Sequence, residues 1–345
     1  MAGHEGEPHA ARPPTIYDVA RAAGVAPSTV SRAFARPGRV NSETAERIRE
    51  VAARIGYRTN PVARALSTAR SRMVAVLVSD LANPIYAELL RGAQVAASAA
   101  GYTVLVEDTR ENATTERAAA ERVLPLVEGV LLTSSRMSDA AIRVIAKQRP
   151  VAVLNRSLGD VPCVVADEQG GARRAVEHLR DLGHHDLTYV AGPDASWPNG
   201  TRWRAFNDGC RALGLVGRRV GPFEPTFAGG YEAARALLGT RASGVVVFNA
   251  LMAVGVIRGL QQAGVRVPAD VSVVGFDDVL IAQIVQPALT VVSTPLQATG
   301  ATGLRNLIAL LNGARSRTGG PVVLPARLSV HESTAPPTAD RGRRL

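Results

Sequence analysis

The sequence predicts an α/β chain in two parts: a small all-helical head carrying a helix-turn-helix, and a two-lobed body of parallel sheets covered by helices. Three observations lead there. Short amphipathic helical patterns, punctuated by Gly and Pro, fill the first sixty residues. From Met73 onward apolar runs alternate with helical stretches, the pattern of parallel sheets. Charge is also uneven, with twelve arginines against six acids in residues 1–72 and 25 basic against 23 acidic groups in 73–334. A basic head on a near-neutral body points to a polyanionic partner for the head. With 345 residues, 46% of them hydrophobic and 20% charged, the chain has enough apolar mass for two or three domains.

In the head, Thr15 is placed to cap a helix over Ile16–Ala23, with Ile16, Val19, Ala20 and Ala23 along its apolar side. Gly24 breaks it, and Val25 packs into the turn. Pro27 suits a first helical position and starts Ser28–Phe34, with Val30 and Ala33 inward. Asn41 caps a third helix over Glu43–Arg54, which Gly56 ends. Two small helices around a Gly-containing turn make a helix-turn-helix. Asn60–Ser67 is too short to be a stable helix by itself. It leads into a polar, basic connector, so 60–72 reads as linker.

Strands are expected at Met73–Val78, Tyr102–Val106, Gly129–Leu132, Val151–Leu154, Leu187–Ala191, Gly244–Phe248 and Val271–Phe276. Helices such as Tyr86–Ala100, Gly170–Leu182, Gly229–Leu238 and Ala253–Ala263 lie between them. More than ten such elements exceed one doubly wound sheet, hence two lobes with a cleft between them. The expected division is about 73–168 with 296–322 for one lobe and about 169–293 with 323–334 for the other. Residues 1–14 and 335–345 read as disordered tails.

Several function classes are disfavoured. No run of eighteen apolar residues exists, and the first fourteen residues do not form a secretory signal, so no membrane partner and a cytoplasmic location are expected. Cys163 and Cys210 are isolated, which suggests neither a disulfide framework nor structural zinc. There is no Gly-x-Ser-x-Gly elbow, P-loop, strand-following Gly-x-Gly-x-x-Gly or His-Glu-x-x-His. Neither an enzyme nor a cofactor is expected. The Asp277-Asp278 pair, without other assembled ligands, does not suggest a metal.

The head's polar residues suit a nucleic acid. Pro27 and Ser28 begin the second helix, where free N–H groups and side chains can reach a groove. Thr29, Ser31 and Arg32 add short donors and one long cation. Thr15 and Tyr17 can bond phosphates, and Arg39 and Asn41 can reach the flanking backbone. The stretch from Thr15-Ile-Tyr-Asp-Val-Ala to Pro27-Ser-Thr-Val-Ser-Arg-Ala-Phe34 resembles the DNA-binding head of the lactose-repressor (LacI) family of bacterial transcription regulators. The likeness continues through Arg39-Val-Asn41, Gly56-Tyr-Arg-Thr-Asn-Pro61 and Ala63-Arg-Ala-Leu66. In the body it runs through Asn83-Pro-Ile-Tyr86, Leu182-Gly-His184, Ala191-Gly-Pro193 and Val273-Val-Gly-Phe-Asp-Asp278. It covers roughly residues 15–334.

The resemblance implies a homodimer with a periplasmic-binding-protein-like body, a pseudo-palindromic double-stranded DNA operator and a small-molecule effector, a sugar by preference. It implies that positions 27 and 28 read base edges, with Arg32 also in the major groove. It further implies that the segment with Asn60 and Arg64 folds on DNA, where the paired Leu66 side chains wedge into the minor groove. In the body it makes Arg202, Asn249 and Asp277 effector anchors on the second lobe, with Asn83, Tyr86 and Asn155 facing them. A guanidinium, an amide and a carboxylate offer the mixed donors and acceptors that sugar hydroxyls require. Departures from the family pattern are Ala26 for a Ser cap, Ala250 for an Asp cap, Asn155 for Asp and Thr294 for Gln. Pro225 stands where relatives carry an aromatic ring, for which Phe223, Phe227 or Trp197 could substitute. Two other classes compete: a sugar-binding transport module, which predicts a signal peptide and no basic head, and an α/β enzyme. A regulator that has lost effector control, suggested by Ala250 and Pro225, is the remaining alternative.

Overall fold

Among the described residues the head has three helices: α1 (Ile16–Ala23), α2 (Pro27–Ala35) and α3 (Ser42–Arg54). The computed structural model describes residues 12, 14–35, 38–57, 70–314 and 320–338. The chain divides into two units, Met1–Arg72 and Met73–Leu345. Thr15 opens α1 by donating both its amide and its hydroxyl to the Asp18 carboxylate, at 2.8 and 2.6 Å. Those bonds hold the Asp18 carboxyl below its ordinary range. Gly24, at φ +64°, supplies the left-handed residue that closes α1. Pro27 has no N–H to leave unsatisfied at the start of α2. The Ala26 carbonyl accepts from Thr29 and Val30, so the helix starts without the missing Ser hydroxyl. Asn41 Oδ1 accepts from the Glu43 amide at 3.0 Å and caps α3. Val19, Ala23, Val30, Ala33, Ile48 and Val51 form the core between the helices, and the Phe34 and Tyr57 rings lie 5.9 Å apart beside it.

The body builds two six-stranded sheets. The first lobe runs β1 (Met73–Val78), α4 (Pro84–Ala99), β2 (Thr103–Asp108), α5 (Ala113–Val123), β3 (Gly129–Thr133), α6 (Asp139–Gln148), β4 (Val151–Leu154) and β5 (Cys163–Ala166). The second continues with α7 (Glu168–Asp181), β6 (Asp186–Val190), α8 (Trp197–Ala212), β7 (Val216–Val220), α9 (Phe227–Leu237) and β8 (Gly244–Val247). It goes on through α10 (Ala250–Gln262), β9 (Ser272–Phe276), α11 (Leu280–Ile284) and β10 (Thr290–Ser293). The chain then returns for α12 (Leu296–Leu311) and β11 (Val322–Leu324) and crosses a third time into β12 (Arg327–Ser329). Sheet orders are β11-β5-β4-β3-β1-β2 and β12-β10-β9-β8-β6-β7. All pairs are parallel except β10 with β12. Because β11 pairs with β5, the last crossing falls after Leu324, slightly beyond the expected residue 322.

Both faces of each sheet are buried, which is why the central strands read as unbroken apolar runs. Val74, Val76 and Val78 face the cluster of α4 and α12, with Leu89, Ala93 and Leu304. Ala75 and Leu77, on the opposite pleat, face Ala120, Val123 and Ile142 of α5 and α6. The two covering helices α4 and α12 touch at glycines. A Cβ on Gly92 would lie 1.9 Å from the Gln297 carbonyl oxygen, and one on Gly300 would lie 1.9 Å from that of Leu89.

The C-terminal segment differs from expectation. Ala335–Thr338 is not a loose tail but packs on the second lobe. The Ala335 amide donates to Ser272 Oγ at 3.0 Å, its carbonyl accepts from the same hydroxyl, and Thr338 donates to the Ala269 carbonyl. Fully buried His184 joins this clip, with Nδ1 2.9 Å from Ser243 Oγ and Nε2 3.0 Å from both Ser272 Oγ and the Ala335 carbonyl. Its expected place in a helix-to-strand turn is therefore also a tie between β8, β9 and the chain end.

Candidate functional site

Parallel strands place their carboxyl ends, and the loops that follow, around a common crevice. In the first lobe Glu111, Ser134 and Asn155 follow β2, β3 and β4; in the second Ser196, Asn249, Asp277 and Thr294 follow β6, β8, β9 and β10. These residues line one narrow cleft with a cavity of about 30 Å³, together with Asn83, Tyr86, Glu168, Arg202 and Phe248. Six described non-glycine residues have positive φ, and four of them, Glu111, Ser134, Asn155 and Asp277, line this cleft at +55° to +75°. Backbone held in the left-handed region costs of order 1–3 kcal/mol per residue and concentrates at functional sites.

A buried ion cluster forms the second-lobe wall. Arg202, with its side chain 5% exposed, donates Nε to Glu168 Oε2 at 2.6 Å and Nη2 to Glu168 Oε1 at 3.1 Å. Its Nη1 donates to the Phe248 carbonyl at 2.5 Å, and the guanidinium stacks 4.0 Å over the Phe276 ring. Asp277 Oδ1 lies 3.9 Å from Arg202 Nη2 and accepts a long bond of 3.4 Å from Thr294. Burial opposes the Arg202 charge, but the Glu168 and Asp277 carboxylates outweigh it and raise its pKa. Burial pushes the Asp277 carboxyl up to about 6, with Arg202 pulling down and Glu168 pushing up.

The first-lobe wall repeats the device. Arg136 Nε donates to Glu111 Oε2 at 2.6 Å, its Nη2 reaches the same oxygen, and its Nη1 donates to the Ser134 carbonyl at 3.0 Å. Burial lifts the Glu111 carboxyl above its ordinary range against the pull of Arg136. Burial also raises the Tyr86 hydroxyl, to about 12, so it stays a neutral phenol beside Glu111.

All six body residues singled out in the sequence, Asn83, Tyr86, Asn155, Arg202, Asn249 and Asp277, line this cleft. Two of them also have local tasks. Asn83 Oδ1 accepts from the Ile85 amide at 3.3 Å, and Asn249 Oδ1 accepts from that of Met252 at 2.8 Å. The helix cap thought lost at Ala250 is thus supplied by Asn249 itself. Sequence reasoning missed Glu111, Arg136, Glu168 and Phe248. Of the aromatic substitutes weighed for Pro225, none of Phe223, Phe227 and Trp197 lines the cleft, whereas Pro225 itself does, with Phe248.

In the head, Tyr17 is 66% exposed, and Pro27, Ser28, Arg32, Arg39 and Asn41 are exposed as well. Thr15, Thr29 and Ser31 are half-buried. Arg32 folds along its helix, with Nε donating to the Ser28 carbonyl at 3.1 Å and Nη2 to Ser28 Oγ at 3.3 Å. Arg32 and Ser28 therefore present one joined donor-acceptor patch. Asn60, Arg64 and Leu66 lie outside the described residues.

Residues 15–60 match the bacterial regulatory proteins of the lacI family, and 176–334 match a periplasmic binding protein-like domain. Catabolite control protein A of Priestia megaterium is 30% identical over 329 residues, covering 93% of this chain and 99% of that protein. Among solved structures, the lac repressor dimer bound to operator and the anti-inducer ONPF has a TM-score of 0.82 at 26% identity, over 94% of this chain and 100% of that one. A complex of the transcriptional regulator CelR with cellobiose has a TM-score of 0.70 at 28% identity, over 93% and 99%. A helix-turn-helix head with a two-lobed binding body defines a ligand-responsive DNA-binding regulator, not an enzyme. The chain belongs to the LacI family of bacterial transcription regulators. Among the described residues, no helix is long and apolar enough to cross a membrane.

Proposed function

We propose that this regulator is a cytoplasmic homodimeric repressor whose grip on a pseudo-palindromic operator is set by a sugar held between its body lobes. The observation that carries the reading is the cleft, where six residues chosen from sequence converge at strand ends of both lobes. The lac repressor, solved as a dimer on its operator, and CelR, solved with cellobiose, support the same assignment. Pro27, Ser28 and Arg32 contact base edges, with Thr29 and Ser31 beside them. Thr15, Tyr17, Arg39 and Asn41 hold phosphates. Asn60, Arg64 and Leu66 belong to the segment that folds on DNA. In the cleft Arg202, Asn249 and Asp277 hold the effector from the second lobe, and Asn83, Tyr86 and Asn155 from the first.

The test is a selection of operator sequences from a random duplex pool with the full chain, followed by binding titrations of the selected site. A two-fold site with two related half-sites is expected. Leu66→Ala should weaken binding to it severely while leaving the melting temperature in place. Enrichment of a single unrepeated half-site, or parental affinity in Leu66→Ala, contradicts the proposal.

A further inference from the structure

The cleft holds three carboxylates, Glu111, Glu168 and Asp277, against two guanidiniums, Arg136 and Arg202. Both guanidiniums are already paired with a carboxylate. Every nitrogen of Arg136 that could reach a ligand donates to Glu111 Oε2 or the Ser134 carbonyl. Those of Arg202 donate to both oxygens of Glu168 and to the Phe248 carbonyl. The acceptors are not committed. Glu111 Oε1 is buried and lies outside hydrogen-bond distance of any described donor, because Arg136 engages only Oε2; the Tyr86 hydroxyl beside the carboxylate is a donor with which a ligand would compete. On the opposite wall Asp277 Oδ1 has one long bond, and no described donor reaches its Oδ2.

An unpaired buried carboxylate oxygen is costly, and a ligand donor is the natural means of satisfying it. An anion would add a further negative charge to a cleft where three carboxylates already outnumber two guanidiniums, each of which is paired with a carboxylate. Resting on the cleft reading above, we propose that Glu111 is the first-lobe anchor for the effector. Arg136 orients it so that Oε1 accepts from a ligand donor while Asp277 accepts from another. The effector is therefore a hydrogen-bond-donor-rich molecule, an uncharged polyol or its amine-bearing analogue, and not an anion. One acceptor on each wall gives such a ligand a bond to both lobes at once. A phosphorylated or carboxylated sugar would meet a cleft whose carboxylates outnumber its guanidiniums.

The test uses matched probes on the full chain: ribose with ribose 5-phosphate, glucose with glucosamine and glucose 6-phosphate, and cellobiose with cellobionate. Thermal unfolding should rise with an uncharged or amine-bearing member and not with its anionic counterpart. Calorimetric titration of that member into Glu111→Gln should show affinity reduced roughly tenfold or more, the size of one lost charge-assisted bond. Far-ultraviolet circular dichroism should match the parent. An anionic member that binds better than its neutral counterpart overturns the proposal, as does parental affinity in Glu111→Gln. If Glu111→Gln binds normally while Asp277→Asn and Asn249→Ala do not, the cleft stands and the role of Glu111 falls. If all three variants bind normally, the ligand sits elsewhere and the cleft reading falls with it.

Discussion

Arg202 keeps its charge at 4% exposure because two carboxylates surround it and an aromatic ring underlies it. Removing its principal counter-ion strands a buried cation. Glu168→Ala should therefore destabilise the second lobe by about 3–5 kcal/mol in urea unfolding, whereas loss of a surface pair such as Arg117–Glu121 should cost about 0–1 kcal/mol. Asp277 adds a pH dependence. Its folded carboxyl is raised to about 6 by burial, so its protonated form favours folding below the ordinary value of 3.8, and that contribution is lost as pH rises through 6. Asp277→Asn should flatten the stability profile between pH 4 and 6, measured by denaturant midpoints across that range; an unchanged profile would place the titration on another group. In the head, Arg32 and Ser28 should act together. Either alanine variant should lose about 1–3 kcal/mol of discrimination between the selected operator and a mismatched site, while Arg39→Ala should weaken both duplexes evenly and lower the salt slope by about one. At this scale the legible residues were those in motifs, such as Asn83, Asn249 and Asp277. Glu111 and Glu168 were not legible, because their importance comes from partners 25 and 34 residues away in sequence.

Most of the central strands were legible from their apolar runs. Met73–Val78 and Val151–Leu154 read as strands from their apolar runs and form with those bounds. Five strands escaped notice: β5 and β10, which are interior and buried but only four residues long, and three that lie at sheet edges. β7, Val216–Val220, carries exposed Arg218 and Arg219 at the end of its sheet, and β11 and β12 have three residues each. The C-terminal clip escaped because the sequence after Ser333 is rich in Pro and polar residues, and only the buried hydroxyls of Ser243 and Ser272 make an anchor for it. Ending the chain at Thr334 should leave His184 and Ser272 without the Ala335 partner and lower stability by roughly 1–3 kcal/mol. A truncated chain with the parental unfolding midpoint would show that the clip contributes nothing. The glycine contact between α4 and α12 is equally specific. Gly92→Ala puts a methyl inside the radius of a backbone carbonyl, so the helices must separate at a cost of about 1–3 kcal/mol or more, read from the same unfolding curves.

For the whole molecule, the two-lobed body gives an effector a simple lever. The lobes are joined by three crossing segments and carry their binding groups on facing strand ends, so a ligand that bonds both walls favours one lobe arrangement over another. It can change operator affinity only by the difference in its affinity for the two arrangements; a tenfold effect needs about 1.4 kcal/mol. Ala250 does not cost α10 its cap, because Asn249 supplies it, and Pro225 lines the cleft beside Phe248. The most direct measurement is fluorescence anisotropy of the selected operator duplex with the full chain, with and without the sugar that raises its melting temperature most, in parent and Asp277→Asn. The account predicts at least a roughly tenfold change in operator affinity for the parent and none for the variant. An unchanged affinity in the parent at saturating sugar, or an equal change in both proteins, would contradict it.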